Sequence, residues 1–331
     1  MSFTNTFDTT NTGSAVSNRE DLTDVLTILA PEETPILSSA DKKKASSTFV
    51  EWTVDSLAAP STSGISEGAD VTAFTDQFAG RAKLGNRVQK FRRDYMVSDM
   101  QEAVDSVGPA KIAQAEAKAI RELKRDIEAT LASANTQATE NGAGTANALG
   151  GLGDWIQNAA GSANVPAAFQ TPAASVVDAG ATLSESEFNG LITSIFGVTG
   201  STNNLMLIAD TTLRSDISDF ARTTASATDN VRSVNYDGNS GEIKLSVDLY
   251  QSDHGVVSIV NGNPDCMPTQ GGTAGMMGYL VNPEYYGVHE LIPMGSTRLP
   301  NLGGGERGFV DCALTLGVYH PGAHGKIVDP A

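Results

Sequence analysis

From Gly108 to Ala134 the chain reads GPAKIAQAEAKAIRELKRDIEATLASA, with apolar positions recurring at helical spacing. On a wheel Ile112, Ala115, Ala119, Leu123, Ile127 and Leu131 fall on one stripe, and Lys111, Gln114, Lys118, Arg121, Lys124 and Arg125 on the other side. Pro109 sits where a helix accepts proline, and no Gly or Pro follows it within the segment. The pattern predicts a helix over 109–134, roughly 39 Å long at about 1.5 Å per residue, long enough to serve as the spine of a domain. Glu116 falls inside the apolar stripe, so its carboxylate must reach the edge or meet a basic partner.

Around this helix the period changes repeatedly. Residues 1–18 are Thr, Asn and Ser with only Phe3 and Phe7 as large apolar groups, the composition of an arm that cannot bury itself. Arg19 to Ala30 has helical spacing behind Glu20 and Asp21, and Pro31 ends it. The stretch 31–44 reads as a bend closing on Lys42, Lys43 and Lys44, either solvated or touching an acidic neighbour. From Thr48 to Leu57 the period is two, with Val50, Trp52 and Val54 on one face. A polar tip follows, and then a second strand whose phase shifts: Leu84 and Val88 are apolar at even positions, Phe91, Tyr95 and Val97 at odd ones. Because a one-residue shift swaps the faces of a strand, a bulge or a change of sheet is predicted near Gln89 and Lys90. The two strands make a projecting hairpin, which an isolated pair could not sustain in water, so it must lean on its own body or on another subunit.

Beyond the helix lies a Gly- and Ala-rich loop with Trp155 as its large anchor. Leu183 to Phe196 reads as a helix whose Ser184 and Glu187 form a capping box. Strands are predicted at 204–209, 242–249, 255–260, 276–281, 285–292 and 308–319, with a short helix at 211–220. The whole is an α+β pattern.

Composition narrows the function. The chain has 331 residues, 40% hydrophobic and 18% charged, which suits a globular protein with a sizeable core. Its net charge of −17 argues against nucleic acid held by bulk electrostatics, while leaving it compatible with lying beside DNA. Cys266 and Cys312 are too few for a disulfide scaffold and read as buried reduced thiols. No apolar run has the length of a membrane span and the first residues lack a signal-peptide pattern, so a soluble, cytoplasmically made protein is expected.

Candidate chemistry is sparse. GISEG at Gly64–Gly68 matches a hydrolase nucleophile elbow, but that motif needs a buried strand before Ser66 and a helix after it. GGGERG at Gly303–Gly308 is followed by a strand pattern, not the helix N-terminus a dinucleotide site requires. Pro321 and Gly322 prevent a helix that would turn His320 and His324 towards one metal, and His254 and His289 are isolated. No catalytic, cofactor or metal site is expected, and the chain is not read as an enzyme. The basic cluster Arg81, Lys83, Arg87, Lys90, Arg92 and Arg93 stands out instead, read as a contact with the acidic surface of a neighbouring copy. Arg81, Lys83, Arg87, Arg92 and Arg93, together with Trp52 and Glu116, are the candidate assembly contacts.

TPILSS, the EW of FVEWTVDSLAAP, EGAD at Glu67–Asp70, the VSD before the helix, ELKRDIEATL, and LTLGVYHPGAHGKI at Leu314–Ile327 carry a likeness. With the order arm, hairpin, long helix, mixed region and final strand, the chain resembles the tailed-phage major capsid proteins of the Hong Kong 97-type fold. The likeness is closest over Thr34 to Asn135; 140–180 and 221–241 do not align. It implies an N-terminal arm at 1–45, an extended hairpin loop at 46–97, a peripheral domain at 98–180, an axial domain at 181–300 and a return strand at 301–331. The implied role is a shell subunit whose partner is itself, in hexamers and pentamers, with scaffolding, portal and decoration proteins as further partners. It implies a virion location, assembly in the host cytoplasm, no cofactor, no membrane, and enclosed double-stranded DNA bound without sequence specificity. An encapsulin-like cargo shell and a hydrolase built on Ser66 are the rival readings.

Overall fold

The computed structural model describes residues 31–104, 111–142, 144–157, 165–180, 182–220, 248–267, 269–270 and 274–328. The expected arm 1–18, the helix 19–30 and most of the strand 242–249 lie outside them.

A short helix α1 (Pro35–Ser39) leads into β1 (Asp41–Lys44), and β2 (Phe49–Val54) and β3 (Ala82–Arg87) form a two-stranded antiparallel hairpin. Next come β4 (Gln89–Val97), α2 (Asp99–Ala103) and the long helix α3 (Lys111–Ala132). The Gly-rich region contributes α4 (Leu152–Trp155) and β5 (Val176–Asp178). Then follow α5 (Glu185–Thr199), β6 (Thr202–Ala209), α6 (Thr211–Phe220), β7 (Leu249–Ser252), β8 (Gly255–Asn261) and β9 (Thr269–Gln270). The last strands are β10 (Ala274–Val281), β11 (Tyr286–Leu299), β12 (Glu306–Val318) and β13 (Gly325–Val328).

Besides the hairpin there are two larger sheets, and residues of both meet in one core. A four-stranded sheet runs β1-β11-β12-β4, and a seven-stranded sheet runs β5-β13-β10-β6-β8-β7, with β9 on β10. Helix α3 lies on β4 and β12, burying Leu123, Ile127 and Leu131 in one core with Phe91, Tyr95, Val310 and Leu314. At about 1.5–3 kcal/mol per large apolar side chain, this stripe is the main reason the helix sits where it does. Helix α5 buries Phe188, Leu191, Ile192 and Ile195 in a second core with Leu205, Leu207, Val257 and α6's Leu213 and Ile217. Its capping box is present, with Ser184 accepting from Glu187 N and Glu187 accepting from Ser184 N, and Gly200 closes it in the left-handed region at φ 68°.

The phase shift in the second strand is a change of sheet. Residues up to Arg87 pair with β2, residues from Gln89 pair with β12, and buried Val88 is the pivot between them. Hence β4, expected within the hairpin, is a strand of the body, and the projecting part is Phe49 to Arg87 with its tip at 55–81. Likewise β11, expected with the 181–300 region, pairs along β12, and β13 of the expected return segment joins the seven-stranded sheet.

The lysine run differs from its expected bend. Residues 41–44 form an edge strand parallel to β11, with Asp41 opposite Gly287 and Lys44 opposite Glu290. An all-polar edge strand has no alternation to reveal it, since its energy comes from backbone bonds to a neighbour far along the chain. Gly287 permits the approach: a Cβ there would stand 2.6 Å from the Asp41 carbonyl oxygen. Lys43 lies 3.5 Å from Asp41 and 4.2 Å above the Tyr319 ring.

Candidate assembly surfaces

The hairpin is anchored to its own body at its root. Trp52 packs 5.5 Å from the Trp155 ring and edge-on to Tyr319 at 6.0 Å. Asn86, fully buried, donates through Nδ2 to the Gly150 and Leu316 carbonyls at 3.0 and 2.7 Å. Its Oδ1 accepts from Gly150 N and Arg87 N at 2.8 and 2.9 Å. Sequence reasoning missed Asn86, whose only signal is a polar residue on the buried phase of β3, between Leu84 and Val88.

The basic cluster finds its acids within the chain. Arg81 meets Asp55 at 3.0 Å, Lys83 meets Glu51 at 3.9 Å, Lys90 meets Asp311 at 2.9 Å and Arg92 meets Asp94 at 3.0 Å. Arg93 makes a two-pronged contact with Asp126 of α3, at 2.5 and 2.7 Å. Arg87 stacks over Phe49 at 5.0 Å and forms no ion pair with a described residue. These pairs lie near solvent, where each contributes about 0–1 kcal/mol. Glu116 lies 3.9 Å from Arg298 on β11, so the basic partner its place in the stripe demanded is also internal.

Among the described residues, two uncovered surfaces stand out. The hairpin tip exposes Leu57, Ile65 and Phe74 at 99%, 88% and 92%, together with Val71 and Phe78. Between Ser56 and Gly80 it carries Glu67, Asp70 and Asp76 and no Lys or Arg. The second surface is the face of β4, β12 and β11 turned away from α3. There Arg92, Asp94, Met96, Leu299, Arg307 and Phe309 line a groove of about 390 Å³.

The motifs with enzymatic overtones resolve as turns. Ser66 lies in the exposed tip, where its carbonyl accepts from Ala69 N and Gly68 has φ 80°, with no strand entering and no helix leaving. Gly303 and Gly305, at φ 92° and 122°, shape the β11–β12 turn. His324 is fully buried, accepts from Asn282 N through Nδ1, and turns Nε2 to the Tyr285 carbonyl, while burial lowers its pKa to about 4. His320 stands edge-on to Phe169 and Tyr285. Cys266 and Cys312 are buried and free, and burial pushes the Cys312 thiol up to about 12. Among the described residues no group of three His, Cys, Asp or Glu is placed to hold a metal ion, and no helix is long and apolar enough to cross a membrane.

The spine helix carries a buried acid that its sequence pattern did not announce. Glu128 of α3 is 1% exposed and accepts from Ile36 N at 2.8 Å and Leu37 N at 2.9 Å. Burial lifts its pKa to about 7, overriding the two N–H bonds that pull it down.

The family description "SU10 major capsid protein" matches residues 3–331. Comparison with curated proteins finds no match. Among solved structures, the capsid of the cyanophage P-SCSP1u superposes with a TM-score of 0.62 at 12% identity, covering 99% of each chain. A structure from Mycobacterium phage Bobi gives 0.62 at 11% identity, covering 98% of this chain and 99% of the other. The capsid of a native GTA particle gives 0.61 at 11% identity over 97% of each. At such identities the superpositions speak for the fold, and the family match speaks for the lineage. The chain belongs to the SU10 major capsid protein family, a family of structural proteins, and has the Hong Kong 97-type fold of tailed-phage capsids.

Proposed function

We propose that this major capsid protein closes into an icosahedral shell of hexamers and pentamers around a double-stranded DNA genome, with the hairpin tip of each copy seated on the next. The observation that carries this reading is the tip itself, which presents Leu57, Ile65 and Phe74 to solvent in the single chain. Apolar groups gathered on a projection with no core of its own find burial only against another molecule. The seat with matching chemistry is the groove on the outer face of β4, β12 and β11: Met96, Leu299 and Phe309 meet the tip's apolar groups, and Arg307, with Arg92 beside its own partner Asp94, meets Glu67, Asp70 and Asp76. Repetition of one such contact around closed rings builds a shell.

The chain's acidic balance suits a container, since a surface without a basic field lets DNA pack beside it without being held. Scaffolding, portal and decoration proteins are its further partners, the host cytoplasm is where it assembles, and the chain has no catalytic role. Electron microscopy of the purified protein tests the reading. Shells, tubes or capsomers are expected for the wild type and their loss for Phe74→Asp. A wild type that stays a compact monomer under assembly conditions refutes it.

A further inference from the structure

We propose that Asn141 is a self-modification site, where the chain converts its own amide to aspartate and isoaspartate through a ring closed by the Gly142 nitrogen. Three Asn-Gly pairs occur in the sequence: Asn141–Gly142, Asn189–Gly190 and Asn261–Gly262. In an Asn-Gly pair the glycine nitrogen can attack the asparagine Cγ, since no Cβ hinders the approach and the backbone bends readily to it. The fold withholds two of these nitrogens and offers the third.

Asn189 and Gly190 lie inside α5, where the Gly190 N–H belongs to the helical ladder and closing the ring would break the helix. The Asn189 Oδ1 also accepts from the Tyr250 hydroxyl at 3.0 Å. Asn261 ends β8 opposite Ala209 of β6, and the Gly262 nitrogen donates to the Ala209 carbonyl at 2.8 Å. A nitrogen tied into such a bond, on a backbone fixed by its neighbours, is a poor nucleophile.

Asn141 and Gly142 are exposed, in a bend closed by the antiparallel pairing of Ala138 with Ala148. Gly142 sits in the left-handed region at φ 69°, a Cβ there would meet nothing within 4 Å, and its nitrogen donates to no described residue. The bend also prepares the electrophile. The Asn141 Oδ1 accepts from the Thr145 amide at 3.3 Å, so the negative charge that gathers on this oxygen during attack meets a donor already in place. In the reaction the Gly142 nitrogen gives its proton to solvent and bonds to the Asn141 Cγ. The Cγ–Nδ2 bond breaks, Nδ2 leaves as ammonia, and a five-membered imide remains. Water then opens the imide at either carbonyl, giving aspartate or isoaspartate. Each event adds one negative charge to an exposed bend, so the chain gains charge variants as it ages.

The purified full chain, held in mildly alkaline buffer and digested for tandem mass spectrometry, reads all three pairs at once. Asn141 is expected to convert about tenfold or more faster than Asn189 and Asn261, with isoaspartate, the mark of the imide, among its products. In denaturant, where all three pairs are unfolded, the rates are expected to draw together. Conversion at Asn141 no faster than at the other two, the same ratio in denaturant as in the folded chain, or aspartate as the sole product overturns the proposal.

Discussion

Replacing Asn86 by Ala should be among the most damaging single changes outside the apolar cores, because that one amide makes four hydrogen bonds at the root of the hairpin. Its Nδ2 donates to the Gly150 and Leu316 carbonyls, and its Oδ1 accepts from the Gly150 and Arg87 amides. The side chain is fully buried, so truncation leaves two acceptors and two donors without their partner. At about 1–3 kcal/mol for each stranded buried group, and allowing water to recover some of them, the loss is roughly 3–5 kcal/mol. That is a large share of the roughly 5–15 kcal/mol that holds an ordinary domain together. Denaturant unfolding of the unassembled protein measures it as a shift in midpoint at constant slope. Asn86→Asp serves as a partial control, since it keeps the Oδ1 acceptor and loses both donated bonds. A loss under about 1 kcal/mol for Asn86→Ala refutes the reasoning, for it would show that neither the bonds nor the cavity constrain the root.

Phe74→Asp should leave the stability of the free chain within about 0.5 kcal/mol, as for an exposed site, while assembly measured by sedimentation falls sharply. Trp52→Ala removes the ring packed on Trp155 and Tyr319 and should cost about 2–4 kcal/mol in denaturant unfolding, less than a fully enclosed Trp because Trp52 is only half-buried. Ser184→Ala should cost about 0.5–2 kcal/mol through loss of the α5 capping box, readable as a lowered unfolding midpoint. The pH profile should show two opposed contributions. His324, with its pKa lowered to about 4, binds fewer protons folded than unfolded, so its share of stability is present above about 6.5 and lost as pH falls towards 4. Glu128, with its pKa raised to about 7, binds more protons folded, so its share is present below about 4.5 and lost as pH rises through 7. Glu128→Gln should therefore expose an acid lability, on the order of 3 kcal/mol between pH 6.5 and 4, that the wild type partly conceals; unchanged wild-type and variant profiles contradict this.

What the sequence disclosed followed from periodicity. The stripe through Leu123, Ile127 and Leu131 defines the spine helix, and the phase shift between Val88 and Phe91 announces that the strand leaves one sheet for another. Ser184 and Glu187 mark the start of α5 because both halves of a capping box lie within one turn. Contacts between distant segments leave no such trace. The strand Asp41–Lys44 is polar on both faces and exists through its pairing with β11. Asn86 and Glu128 look like surface residues until residues far along the chain close over them. The basic cluster was legible as a cluster, but its acids were not: Lys90 reaches Asp311 and Arg93 reaches Asp126 only after β4 is placed between β12 and α3. The tip was legible as a projection and its apolar side chains could be counted, whereas the groove that matches it is assembled from three strands drawn from both ends of the chain.

If the hairpin tip of one copy is buried on the sheet of the next, images of the assembled particles at a resolution that traces side chains will show the contact. The predicted result is Phe74 and its apolar neighbours lying over Met96, Leu299 and Phe309 of an adjacent copy, with Arg92 and Arg307 near the tip's acids. Closed shells in which the tip remains in solvent and the groove stays open contradict it.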